Sequence, residues 1–178
     1  MVLWALLIAA VLLSIERLTY LWIWHFPAHF QTFCNRPPVA VFGEPVEVLQ
    51  KLFYFFKLLQ LAVFLGWCII FSEGGLPLPT GGPVSIMAGG LLIISGQFLN
   101  FSVFFRLGTP GVFYGNKFGY EIPWCSGFPF SVFRHPQYAG ALISIWGFFL
   151  IMRFPHDDWM LLPILETCLY VVGAYYER

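Results

Sequence analysis

SVFRHPQYAGALISIWGFFLIM, Ser131 to Met152, sets Arg134, His135, Pro136 and Tyr138 directly before an almost wholly apolar run, Ala141–Met152. Polar side chains packed against the mouth of such a run mark a membrane boundary if the rest of the chain is equally apolar. It is. Of 178 residues, 59% are hydrophobic and only 10% are charged, where a soluble domain carries about a quarter charged residues. A single core cannot enclose that much apolar surface, so the bilayer serves as part of the solvent.

Five apolar segments follow from this reading: about Val2–Trp24, Leu52–Phe71, Val84–Phe105, Ala139–Phe154 and Trp159–Tyr176. The last two fall short of the roughly 20 residues of a perpendicular span, and only Pro155–Asp158 separates them. The predicted fold is an all-α integral membrane protein of four to five transmembrane helices, the last two forming a short hairpin. It is a single domain, 1–178, with no soluble domain and no cleavable signal peptide. The connectors are rich in Pro and Gly. Leu107–Gln137 in particular cannot be a regular helix throughout.

Lysine and arginine fall unevenly. With five spans, Arg36, Lys51, Arg106, Lys117, Arg134 and Arg178 lie on one side and only Arg153 on the other. The excess predicts that the Leu107–Gln137 loop and the C-terminal end face the cytoplasm. Zero net charge gives no argument for nucleic acid. Cys34, Cys68, Cys125 and Cys168 lack CxxC spacing and read as free thiols. His25 and His29 are four apart, but Pro27 lies between them, and no third ligand is near. No metal is expected.

Four polar groups require a role. Glu16 and Arg17 interrupt the first apolar run, and the plain reading is an adjacent pair near an interface. Gln97 and Asn100 in SGQFLNF (Ser95–Phe101) suit either helix–helix hydrogen bonding or the wall of a polar pocket, and Gly96 would permit close approach of a flat ligand. Pro136 suits the first turn of a helix, whose N-terminal N–H groups form a positive end. Arg134, His135 and Tyr138 add donors there. Glu177 returns to the same level if the last two segments form a hairpin. An amino-acid moiety, with both carboxylate and ammonium, fits between these ends.

These blocks together resemble a known family. YLWIWHFPAHFQTFC (Tyr20–Cys34), FFKLLQL (Phe55–Leu61), SGQFLNF, LGTPGVFYGNKFGYEIPW (Leu107–Trp124) and GFPFSVFRHPQYAGA (Gly127–Ala141) occur in order across nearly the whole chain. The sequence resembles the membrane phospholipid N-methyltransferases, in particular the plant-type phosphatidyl-N-methylethanolamine N-methyltransferases. The short pattern around His135–Gly140 alone would indicate only a broader superfamily, including isoprenylcysteine carboxyl methyltransferases and sterol reductases.

The resemblance implies S-adenosylmethionine as cofactor without a Rossmann domain, and a cytoplasmic, loop-rich cofactor site. It places Gly96 in the glycine motif of the third span, His135, Pro136, Tyr138 and Gly140 in the second motif, and Glu177 in the C-terminal acidic motif. With the flanking Gln97 and Arg134, these form the expected cofactor-binding set. Two departures stand out. Animal members have G-x-G where this chain has Ile94-Ser95-Gly96, and paired glutamates where it has Glu177-Arg178.

The implied reaction is N-methylation of phospholipid ethanolamine headgroups towards phosphatidylcholine. A neutral amine attacks, and His135, Glu121 or Glu177 is expected to accept its proton. Asn100, Tyr114 and Trp124 are the expected substrate-binding residues, and with Phe113 the aromatic groups can hold a methylated ammonium. The expected partner is phospholipid within the bilayer, at the endoplasmic reticulum of a eukaryote or the inner membrane of a bacterium. The rival readings are methylation of an isoprenylcysteine carboxylate or a small thiol, a non-catalytic membrane scaffold, and a nicotinamide-dependent reductase.

Overall fold

Proline sets the start of most helices. In the computed structural model, which describes residues 1–72, 78–123, 125–153 and 157–177, six α-helices follow in order. They are α1 (Val2–His25), α2 (Pro27–Cys34), α3 (Pro45–Phe71), α4 (Pro83–Val112), α5 (Pro136–Met152) and α6 (Leu161–Tyr176). The helices α2, α3, α4 and α5 each begin at a proline, where the missing N–H costs nothing and φ is already helical. Helix α3 adds a reciprocal cap between Glu44 and Glu47.

Four helices are long and apolar enough to cross a membrane: α1, α3, α4 and α6 with its preceding turn. The chain is an all-α integral membrane protein. Helix α5 has 17 residues, which rise about 25 Å at 1.5 Å each, short of a full hydrocarbon core of about 30 Å. The predicted link, Pro155–Asp158, is described only in its second half, where Asp157–Met160 form a short 3-10 turn; residues 154–156 and Arg178 lie outside the described residues. Helices α5 and α6 pack through Trp146, whose indole donates to Thr167 Oγ1 at 3.0 Å.

The tightest pairing is α4 with α5. A Cβ on Gly147 would lie 2.6 Å from the Gly89 carbonyl, and one on Gly140 would lie 2.5 Å from Asn100 Oδ1. Glycines on both helices thus let two backbones approach as small residues do in membrane bundles. Beyond that contact α4 bends: Gly108 has φ 61 and ψ 179, and Pro110 follows it. The helix therefore runs past the predicted end at Phe105 and carries its last turn, to Val112, across a kink. Helix α3, in contrast, barely touches α4.

Two buried clusters hold the bundle. One joins Ala9 and Leu13 of α1 to Phe64, Trp67 and Cys68 of α3, Phe149 of α5 and Leu162 of α6. The other joins Ile23 of α1 and Phe30 of α2 to Leu49 and Phe56 of α3 and to Val103 and Phe113. The second cluster lies at the end where the long connectors and the start of α5 gather.

Candidate functional site

A cavity of about 1500 Å³ opens between these clusters, and all the long helices contribute to its wall. Its polar end is built by Glu177, just past α6. Tyr138 Oη donates to Glu177 Oε2 at 2.5 Å and Tyr114 Oη donates to Glu177 Oε1 at 2.9 Å. Tyr138 projects from the first turn of α5. Tyr114 is held in a left-handed conformation, φ 55 and ψ 29, just after α4. Burial pushes the Glu177 carboxyl above its ordinary range, opposed by the two phenol bonds and by the charges of Arg17 and His25. Three distant segments thus meet on one carboxylate.

Arg134, His135, Pro136 and Tyr138 all line this cavity, as do Gln97, Asn100 and Tyr114. Pro136 occupies the first turn of α5, so the unpaired N–H groups of that turn make a positive end. Arg134 is exposed and His135 half-buried. Gln97 Nε2 donates to Ser144 Oγ at 2.9 Å, so it serves helix packing as well as facing the cavity. Asn100 Oδ1 is buried and has no hydrogen-bond partner among the described residues.

Three predicted residues are placed differently. Glu121 is exposed and is not part of the cavity wall, although the next two residues, Ile122 and Pro123, are. Gly96 and Gly140 are buried between α4 and α5 and not on the cavity wall. A Cβ on Gly96 would overlap the Gly140 carbonyl and Ser144 Oγ. The close approach at Gly96 is therefore made by the neighbouring helix backbone and leaves no room there for a flat ligand. Trp124 lies outside the described residues.

A second polar group borders the same cavity, and sequence reading missed most of it. Glu16 and Arg17 are 3% and 5% exposed, so they face the inside of the bundle. Glu16 Oε1 lies 3.4 Å from Arg17 Nη2 and 3.1 Å from Lys57 Nζ. Lys57 Nζ also donates to Gln60 Oε1 at 3.0 Å and Tyr170 Oη at 3.3 Å. Gln60 Nε2 in turn donates to Glu166 Oε1 at 2.5 Å. The Arg17 guanidinium stands 3.6 Å from the Tyr170 ring centroid and 5.8 Å from that of Tyr138. The available signal was Lys57 and Glu166 as ionisable groups inside apolar runs.

The remaining wall is aromatic and aliphatic, and it reaches the outer surface of the bundle. Phe101, Tyr54 and Leu61 line the cavity yet are 70%, 54% and 48% exposed. They belong to α4 and α3, the two helices that barely touch. The cavity is thus open sideways, through the gap between α3 and α4, onto an apolar helix surface. The histidines of the His25/His29 pair are both exposed, and no cluster of three or more metal-ligating side chains occurs among the described residues.

A phospholipid methyltransferase family profile matches residues 84–178. Phosphatidyl-N-methylethanolamine N-methyltransferase of Arabidopsis thaliana is 33% identical over 139 residues, 78% of this chain and 75% of that protein. Phosphatidylethanolamine N-methyltransferase of Mus musculus is 36% identical over 78 residues, 43% of this chain and 38% of that protein. The Homo sapiens protein of the same name is 31% identical over 97 residues, 54% of this chain and 48% of its own length. No solved structure matches.

Proposed function

Since the chain belongs to the phospholipid methyltransferase family, we propose that it transfers a methyl group from S-adenosylmethionine to the amine of an ethanolamine-type phospholipid headgroup, towards phosphatidylcholine. The observation that carries this reading is the sideways opening between α3 and α4. A polar end at Glu177 and an apolar wall continuous with the helix surface suit a substrate whose chains stay in the bilayer while its headgroup enters. A small thiol needs no such gap.

The residues present fit the methyl donor. Glu177 offers a carboxylate held in place by two phenols, a partner for the amino-acid ammonium. Arg134 and the first turn of α5 offer donors for its carboxylate. When bound, the donor supplies an electrophilic methyl on a sulfonium.

The chain's own residues do the rest. An aliphatic headgroup amine is protonated in water, with a pKa near that of lysine, about 10. A cavity walled by Phe104, Phe113 and Phe148 disfavours the ammonium and so favours the nucleophilic form. His135 lines the same space and is the candidate acceptor of the amine proton. Tyr114 and Phe113 line the cavity and are the candidates to hold the methylated ammonium. Holding donor and amine in line is the main contribution. The active site is proposed to face the cytoplasm, because Arg36, Lys51, Arg106, Lys117 and Arg134 lie at its end of the bundle.

The test is labelled methyl transfer by the purified chain in bilayer discs containing phosphatidylethanolamine, its monomethyl form or its dimethyl form. Label in the lipid amine fraction supports the reading. Label appearing only in an added prenylcysteine acceptor or thiol would overturn it.

A further inference from the structure

Arg17 is a full charge in the middle of an apolar helix, 5% exposed, on the cavity wall. Its Nε and Nη2 have no hydrogen-bond partner among the described residues. A guanidinium carries five donors in a rigid fork, and a buried one is costly unless those donors are met. The surroundings fix its position without using it up. The Tyr170 ring covers one face at 3.6 Å, and Glu16 approaches Nη2 at 3.4 Å without completing a hydrogen bond. Glu16 is also shared with Lys57 at 3.1 Å, so a single carboxylate faces two cations. The other nearby carboxylate, Glu166, takes its hydrogen bond from Gln60. The residue lines the cavity, and two of its donors remain unmet by the protein.

Resting on the function proposed above, we propose that Arg17, with Lys57 behind it, is the receptor for the phosphodiester of the lipid substrate. A planar fork with two unused N–H donors matches two phosphate oxygens. The order of groups along the cavity selects the phosphodiester over the cofactor carboxylate. Arg17 packs beside Gly173 of α6. Glu177 lies four residues further along, about 6 Å at 1.5 Å per residue. Deeper than Arg17, Phe64 and Phe148 pair at 5.9 Å and continue the apolar wall. From the helix ends inward the sequence is carboxylate, guanidinium, aromatic wall. With the methyl donor held at Glu177, the amine of an ethanolamine phospholipid comes just inside that end, so its phosphodiester falls at Arg17 and its acyl chains along the aromatic wall. In an amino-acid moiety, carboxylate and ammonium share one carbon, and the Tyr138 ring stands between Arg17 and Glu177.

The experiment uses the full chain in detergent and two lipid probes without an amine: phosphatidylmethanol, which keeps the phosphodiester, and diacylglycerol, which lacks it. Binding is read by native mass spectrometry, alongside S-adenosylhomocysteine binding by calorimetry. For the unaltered chain, phosphatidylmethanol should bind at least about tenfold tighter than diacylglycerol. Equal binding of the two overturns the proposal with no variant needed. Arg17→Gln should weaken phosphatidylmethanol about 10- to 100-fold, and Arg17→Lys, which keeps charge but loses the fork, about 3- to 10-fold. Arg17→Lys, which keeps the charge that acts on Glu177, should leave S-adenosylhomocysteine affinity within about twofold. If the loss falls instead on S-adenosylhomocysteine, the anion is the cofactor carboxylate and the proposal is overturned. If phosphatidylmethanol depends on Arg17 but no lipid amine is ever methylated, the anion site stands and the proposed reaction fails.

Discussion

Tyr138 binds Glu177 through its hydroxyl, at 2.5 Å to Oε2, while its ring lies 5.8 Å from the Arg17 guanidinium. One side chain from the start of α5 therefore separates a carboxylate from a cation, each on the same cavity. If that carboxylate holds the cofactor ammonium, its removal costs a charge-assisted hydrogen bond, about 1.5–3 kcal/mol. Glu177→Gln should raise the Kd for S-adenosylhomocysteine roughly 10- to 100-fold, measured by calorimetry. Tyr138→Phe, which leaves the charge but frees its orientation, should cost less. Unchanged affinity in Glu177→Gln would remove Glu177 from the cofactor site.

The same carboxylate predicts two opposed pH dependences. Burial holds the Glu177 carboxyl above its ordinary value of 4.5, so the folded chain binds this proton more tightly than the unfolded chain does. That contribution to stability is complete below the ordinary value and is lost as pH rises through the raised one. An ammonium ligand requires the ionised form, so its affinity should rise over the same window. Thermal midpoints recorded from about pH 5 to about pH 8 should fall without S-adenosylhomocysteine relative to those with it. Glu177→Gln should flatten the difference. A wild-type affinity that is constant over that range would contradict the assignment.

Much of this was legible in the residues, and the limits are physical. Apolar runs located the long helices and Pro136 the start of α5, because both are local signals; that Pro27, Pro45 and Pro83 also open helices was not read from the sequence. That Tyr138 and Glu177 come to the same level was also readable from the sequence. What local pattern could not supply was pairing between helices. Glu16 looks like the neighbour of Arg17 alone until α3 brings Lys57 within 3.1 Å. Gly96 looks like room for a ligand until α5 lays Gly140 against it. Glu121 is acidic and close in sequence to Tyr114, yet the turn after α4 carries it out to the surface.

The glycine contact separates packing from ligand binding. Gly90, one residue from Gly89, has open space where a Cβ would stand. Gly90→Ala should be neutral or stabilising by up to about 1 kcal/mol, since alanine is the better helix former. Gly140→Ala would place a methyl 2.5 Å from Asn100 Oδ1 and force α4 from α5, at a cost of about 1–3 kcal/mol. Thermal unfolding in detergent distinguishes them. Equal behaviour of the two variants would mean that α4 and α5 do not approach as closely as their glycines allow.

Orientation is open to a test with the chain's own thiols. Cys125 is partly exposed in the long connector, at the polar end of the cavity. Cys34 ends α2 at the same end of the bundle, but it is 1% exposed, and burial, aided by Glu44, pushes its thiol up to about 11. At neutral pH it therefore presents about a hundredfold fewer thiolates than an unperturbed cysteine. With Cys68 and Cys168 replaced by alanine and serine, sealed vesicles whose cytoplasmic face points outward should label rapidly at Cys125 with a membrane-impermeant maleimide. Cys34 should react only after unfolding. Labelling of Cys125 only after the vesicles are opened would place the polar end, and with it the proposed active site, on the opposite side.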